Sequence, residues 1–112
     1  LLDNVSYYDS AASNALKTND YRAYIKNAVQ AAKQLKICLD STKNPVGAYE
    51  IHNELKKAYS LRFNAILAVT NDSGNIPLTE ESFRAIKEAA DLSAFNISYV
   101  KTLISNIDKE AA

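Results

Sequence analysis

The only cysteine and the only histidine of the chain, Cys38 and His52, each lie seven residues from Pro45. If two helices turn back at this proline, the thiol and the imidazole lie at comparable depth on adjacent antiparallel helices. A thiolate beside an imidazole is a nucleophile with its general base, provided that a third group orients the base and an oxyanion site exists. Neither Asp40 nor Glu50 has the helical spacing to orient His52, and no glycine-rich turn supplies N–H groups. We therefore expect no catalytic site, with Cys38 a small apolar residue at the margin of the core and His52 at the surface.

Two carboxylates flank the histidine, because Glu50 and Glu54 lie two residues before and after His52. On a helix, residues two apart do not share a face, whereas metal-ligand pairs need spacings of three or four. Glu50 and Glu54 alone do not make a di-iron motif, and one cysteine excludes cysteine-rich zinc or iron–sulfur sites. The sequence predicts no metal and no cofactor.

One arginine, Arg62, interrupts a run of apolar residues that extends from Leu61 to Val69. It could be a buried cation that pairs with Asp9 or with an anionic ligand between helices. The more common arrangement packs the aliphatic stem and leaves the guanidinium in water, and we expect that arrangement here.

The apolar run itself is the best candidate for a functional surface. A helix that is apolar on all sides is either enclosed or offers a face to a partner, and enclosure is difficult in so small a protein. The candidate partner or ligand surface comprises Tyr59, Arg62, Phe63, Ala65, Leu67 and Ala68.

Composition narrows the range of partners. Thirteen basic and thirteen acidic side chains cancel, so no overall field attracts nucleic acid, and no nucleic-acid partner is expected. No apolar run reaches the ~18 residues of a transmembrane helix.

The chain of 112 residues has the length of one domain, which spans residues 1–112. Since it contains no methionine and begins Leu-Leu-Asp, we expect a mature or excised part of a longer chain; the residues do not distinguish loss of a signal peptide, of a lipid anchor or of a neighbouring domain. The sequence does not indicate a cell compartment.

Three breaks divide the chain into four helical segments. They lie at Thr18-Asn19-Asp20, at Pro45-Val46-Gly47 and in the loop from Asn71 to Leu78, after which Thr79 can cap a helix with two glutamates in its first turn. The second segment has the clearest apolar stripe, with alternating spacings of four and three at Tyr21, Ile25, Ala28, Ala32, Leu35 and Leu39. The third segment is predicted to run from about Val46 to Val69, and the fourth from Thr79 to the C-terminal region.

Long amphipathic helices with short connections favour antiparallel neighbours. The sequence therefore predicts an all-α protein, an antiparallel up-down-up-down four-helix bundle. We expect a non-enzymatic interaction, adaptor or assembly module that binds a protein partner or itself through the apolar helix surface. The first alternative is a small-ligand-binding or sensor domain with an inter-helix pocket of about 300 Å³ or more and Arg62 in its wall. An enzyme that uses Cys38 and His52 ranks last.

Overall fold

The computed structural model of the chain describes residues 1–42 and 49–111. These residues form four helices: α1 (Asp3–Leu16), α2 (Tyr21–Ser41), α3 (Tyr49–Val69) and α4 (Glu80–Ala111). The prediction of an all-α four-helix bundle is confirmed, and the described ranges contain no strand. The turn expected at Pro45 and the start of the third segment at Val46 lie outside these ranges.

Side-chain caps explain where two of the helices begin. Asp20 precedes α2, and its Oδ1 atom accepts a hydrogen bond from the Ala23 N–H at 3.0 Å. Thr79 precedes α4, and its Oγ1 atom accepts from the Ser82 N–H at 3.2 Å. Both caps satisfy N–H groups that have no partner within the helix. Asn19, with φ of 55°, makes the tight turn before Asp20, so the break predicted there is confirmed.

Helix α2 packs against both α1 and α3 and is antiparallel to each, because contacts advance along one helix as they retreat along the next. Cys38, near the end of α2, donates its thiol proton to the Leu1 carbonyl at 2.8 Å, next to the start of α1. Thr42 Oγ1, just after α2, lies 3.1 Å from His52 Nδ1, near the start of α3. Lys36 precedes Thr42 by more than one turn, and it lies over the ring of Tyr59, which follows His52 in α3. The contacts therefore move in opposite directions along α2 and α3.

The same reasoning orients α3 and α4. Glu54 accepts a hydrogen bond from Asn96 at 2.8 Å, and further along α3 Arg62 donates to Ser93 at 2.7 Å, earlier in α4. The helices therefore alternate in direction along the chain, as the sequence predicts.

The core consists of two apolar layers. One contains Val5, Leu35, Leu55 and Val100, all fully buried, and the other contains Ala12, Tyr24, Ile25, Ala28 and Ile86. Between these positions on α1, α3 and α4 lie Asp9, Arg62 and Ser93. A polar cluster thus separates the two apolar layers.

Candidate functional site

The polar cluster of Asp9, Arg62 and Ser93 joins three helices. Arg62 is only 5% exposed. Its Nη1 and Nη2 atoms donate to the two carboxylate oxygens of Asp9 at 2.8 and 3.0 Å, and its Nε donates to Ser93 Oγ at 2.7 Å. The Ser93 hydroxyl in turn donates a hydrogen bond to the Ala90 carbonyl at 2.9 Å. The expectation that the guanidinium reaches water is wrong; the alternative, a buried cation paired with Asp9, is correct.

Burial of Arg62 is tolerated because the N–H groups of its guanidinium donate hydrogen bonds to Asp9 and Ser93. A bidentate carboxylate and a hydroxyl satisfy the guanidinium in a geometry that a lysine could not reproduce. Asp9 keeps 35% of its side-chain surface exposed, so only one of the two charges is fully withdrawn from water. With its fork directed at Asp9, Arg62 does not present a bidentate donor pair to an external anion.

A small polar cleft lies beside this cluster, bounded in part by Asp9, Tyr24, Arg62 and Asp91. Its volume is about 180 Å³, less than the ~300 Å³ of the smallest typical ligand sites. Burial, and secondarily the negative charge of Asp91, raises the pKa of Tyr24 to about 12. Its phenol therefore stays protonated near neutral pH, and the cleft is smaller than the pocket that the ligand-binding alternative requires.

Cys38 and His52 have separate partners. The Cys38 thiol donates to the Leu1 carbonyl, and burial raises its pKa, so the thiolate needed for nucleophilic attack is disfavoured. His52 Nδ1 pairs with Thr42 Oγ1 at 3.1 Å. The Thr42 hydroxyl also lies 3.0 Å from the Leu39 carbonyl, so it links the end of α2 to the start of α3. Cys38 thus links the end of α2 to the start of α1, and His52 links the start of α3 to the end of α2.

The carboxylates near His52 also point to other partners. Glu54 accepts from the Asn96 amide and from the Lys57 ammonium, and these two hydrogen bonds lower its pKa, that from Asn96 more strongly. Glu50 accepts from the Tyr99 hydroxyl. Residues 1–42 and 49–111 contain no group of three or more His, Cys, Asp or Glu side chains that could hold a metal ion.

The candidate surface on α3 divides into an inner and an outer part. Phe63 and Leu67 are 43% and 58% exposed; Ala68 is exposed as well, and Tyr59 and Ala65 are half-buried. Arg62 is buried and does not belong to this surface, which corrects the sequence-based grouping. The helical repeat explains the difference, since neighbouring residues point about 100° apart.

Two residues of the candidate surface, Tyr59 and Phe63, form with Ile66 one wall of an apolar groove of about 390 Å³, and α2 forms the other wall. The other predicted surface residues, Ala65, Leu67 and Ala68, do not line this groove. The apolar lining residues are Val29, Ala32, Ile37, Tyr59, Phe63 and Ile66. Lys33 and Lys36 lie at the rim, and Lys36 Nζ is 5.9 Å from the centre of the Tyr59 ring. Phe63 stacks on Tyr59 with ring centres 5.5 Å apart. We refer to this feature as the α2–α3 groove.

The α2 wall was missed from the sequence. Ile37 lies off the stripe that predicts the core face of α2, and it is 59% exposed. The sequence does contain a signal for this wall, because Ile37 is a large aliphatic residue on the polar face of α2, close to Lys33 and Lys36. A wider depression of about 620 Å³ over α3 and α4 is lined by polar or charged residues, among them Asn53, Lys57 and Asn64, with Leu61 as its one apolar residue. The α2–α3 groove, with six apolar lining residues, is therefore the better apolar site.

Comparison of the chain with known proteins does not indicate its function, because no protein-family model, curated protein or solved structure matches it. Within the described ranges, none of the helices combines the length and the hydropathy that crossing a membrane requires. The function is therefore argued from the geometry of the chain itself.

Proposed function

We propose that the chain is a non-enzymatic interaction module that binds a protein partner through the α2–α3 groove. The observation that carries this proposal is the exposed apolar lining of the groove, with Ile37 on one wall and Phe63 on the other. Covering these side chains removes apolar surface from water, the main driving force of protein association. An aromatic pair, Tyr59 and Phe63, supplies the type of residue that dominates binding energy in such interfaces.

The rim of the groove indicates the chemistry of the partner. Lys33 and Lys36 lie next to the apolar lining, and Lys36 already pairs with Asp40 at 2.8 Å. A partner segment with apolar anchors and flanking carboxylates would match both features. Rim charges of this kind chiefly affect the association rate and the choice of partner, whereas the apolar centre supplies affinity.

Ligand binding and catalysis have weaker support. The cleft beside Arg62 is small, and the guanidinium is directed at Asp9. Cys38 and His52 have partners other than each other. The interaction hypothesis is therefore the function that the geometry favours.

Site-specific photo-crosslinking tests the proposal. A photoreactive phenylalanine at Ile37 reports on the α2 wall, and Phe63→Asp in the same chain introduces a charge on the opposite wall. We expect Ile37 to capture one discrete protein product, either a second copy or another protein, and Phe63→Asp to abolish that capture. A photoreactive group at Tyr7, which is 68% exposed on α1, serves as the control for random collision.

Two results would overturn the proposal. One is capture from Ile37 that Phe63→Asp leaves unchanged, because a groove-bound partner must contact both walls. The other is an equal yield of products from Ile37 and Tyr7. Circular dichroism must first show that Phe63→Asp keeps its helical content.

A further inference from the structure

Helix α4 carries a second apolar face that the core does not use. Its core side contains Ile86, Ile97 and Val100, which are buried. On another side Leu92, Phe95 and Tyr99 are 52%, 80% and 43% exposed. These three residues, which we name the α4 ridge, have spacings of three and four, so they line one face of the helix.

The spacing of the α4 ridge is that of a helix that binds in a groove. Anchors at positions i, i+3 and i+7 are the pattern by which an amphipathic helix fills an apolar groove. Leu92 and Tyr99 are seven residues apart, about 10 Å along the helix, and Val29 and Ile37 on the groove wall are eight apart, about 12 Å. The α4 ridge and the α2–α3 groove therefore match in length.

The charges beside the two features are opposite. Helix α2 has four cations and one carboxylate, and residues 80–95 of α4 have four carboxylates and two cations. Glu88 and Asp91 lie within two turns before Phe95 on the exposed side of α4, while Lys33 and Lys36 rim the groove. Opposite charges around an apolar centre favour this pairing and set its orientation.

We propose that the α4 ridge of one copy of the chain docks into the α2–α3 groove of a second copy. This inference rests on the proposed function and specifies the partner. Groove and ridge are different surfaces, formed by α2 and α3 in one case and by α4 in the other. The contact is therefore heterologous, and each added copy leaves one free groove and one free ridge, which produces rings or open chains rather than closed two-fold dimers.

Two aspartate substitutions test the direction of the contact. Phe63→Asp damages only the groove, and Phe95→Asp damages only the ridge; both rings are exposed, so both variants should fold. Sedimentation equilibrium over about 10 µM to 1 mM covers the weak affinities typical of small interfaces. We expect wild type to form species larger than a dimer as concentration rises, and each variant alone to stay monomeric.

An equimolar mixture of the two variants gives the decisive result. Phe63→Asp contributes an intact ridge and Phe95→Asp an intact groove, so the mixture has one functional interface. We expect it to form a one-to-one dimer that does not grow further. Cross-linking from Ile37 in the Phe95→Asp chain should then capture the α4 segment of the isotopically labelled Phe63→Asp chain.

Other results would overturn the inference and identify what replaces it. Self-association that is lost in Phe63→Asp but intact in Phe95→Asp would show a two-fold contact of groove with groove. Monomeric wild type throughout the range, with Ile37 still capturing a different protein, would overturn the second copy as the partner while the proposed function stands. Monomeric wild type without any capture would overturn both.

Charge reversal provides an independent check. Lys33→Glu with Lys36→Glu makes the groove rim acidic, and Glu88→Lys with Asp91→Lys makes the ridge flank basic. Each double variant alone should lose association, because its own groove and ridge then repel. Their mixture should assemble again, since every groove meets a ridge of opposite charge; no recovery would count against the proposed pairing.

Discussion

Arg62 and Phe63 are consecutive residues of α3 in environments opposite to those that their side chains usually occupy. The charged residue is 5% exposed, and the aromatic residue is 43% exposed. Arg62 lies inside because Asp9 and Ser93 satisfy its guanidinium. Phe63 lies on the wall of the α2–α3 groove and stacks on Tyr59.

Because Arg62 is buried and Phe63 is partly exposed, we expect Arg62 to affect mainly stability and Phe63 to affect mainly binding. A buried charge costs free energy unless it is paired, so the Arg62 cluster is maintained only while all its partners are present. A partly exposed aromatic ring contributes less to the folded monomer than a buried one and keeps part of its apolar surface available to a partner. We therefore expect substitutions at the two positions to affect different measurements.

The largest expected effect follows from removing Arg62. Arg62→Leu leaves the Asp9 carboxylate without its bidentate partner, and breaking a buried ion pair typically costs about 3 kcal/mol or more. We expect a loss of about 3 kcal/mol in the free energy of unfolding, because the exposed part of Asp9 recovers some hydration. Urea denaturation followed by circular dichroism measures it.

A surface arginine provides the matched control. Arg84 pairs with Glu80 at 2.6 Å, but both side chains are mostly exposed. Arg84→Leu should therefore cost less than about 1 kcal/mol. Equal losses at Arg62 and Arg84 would mean that the buried cluster stabilises the fold no more than a surface ion pair does.

Tyr24 extends the comparison to pH, because it lines the cleft beside Arg62. Its pKa is raised from the ordinary value to about 12, so the unfolded state loses the proton at lower pH than the folded state. The contribution of the protonated Tyr24 phenol to the free energy of unfolding is therefore complete below about pH 10, and it declines between pH 10 and 12. With allowance for solvent in the cleft, we expect Tyr24 to account for about 1–2 kcal/mol of the decline, and Tyr24→Phe to remove that part. The pKa values of Cys38 and Tyr99 are also raised, so a smaller decline remains in this variant.

The exposed Tyr7 provides the control for the alkaline measurement. Tyr7→Phe should keep the decline of the wild-type protein, because its ring is 68% exposed and lies outside the cleft. Unfolding free energies at several pH values between 9 and 12 would separate the two variants. A decline in Tyr24→Phe as steep as that of wild type would assign it to other groups.

The sequence predicts more of the fold than of the site. Helix periodicity and the caps at Asp20 and Thr79 locate the helices, since these signals are local. The burial of Arg62 depends on Asp9, which is far away in the chain and reaches it from α1; no local pattern contains that information. The same holds for Ile37, whose role as a groove wall depends on how α2 packs beside α3.

Cys38 is a smaller test of the buried side of this comparison. Its thiol is 5% exposed and donates to the Leu1 carbonyl, and burial raises its pKa. We expect Cys38→Ala to cost about 1 kcal/mol, since one buried heavy atom and a weak hydrogen bond are lost. Thiol labelling of wild type near pH 7 should be at least about tenfold slower than after unfolding in urea. Equal labelling rates would show an accessible, reactive thiolate instead.

The smallest expected change in stability is at Phe63, where the effect on binding should be largest. Phe63→Ser loses the contact with Tyr59 and the buried part of a ring that is already 43% exposed, so we expect a cost of about 0.5–1 kcal/mol. Leu55→Ala, at a fully buried position of the same helix, should cost about 3 kcal/mol. If Phe63→Ser keeps its stability and loses cross-linking from Ile37, the exposed ring serves binding. If it destabilises as much as Leu55→Ala, Phe63 belongs to the core, and the groove is a feature of packing.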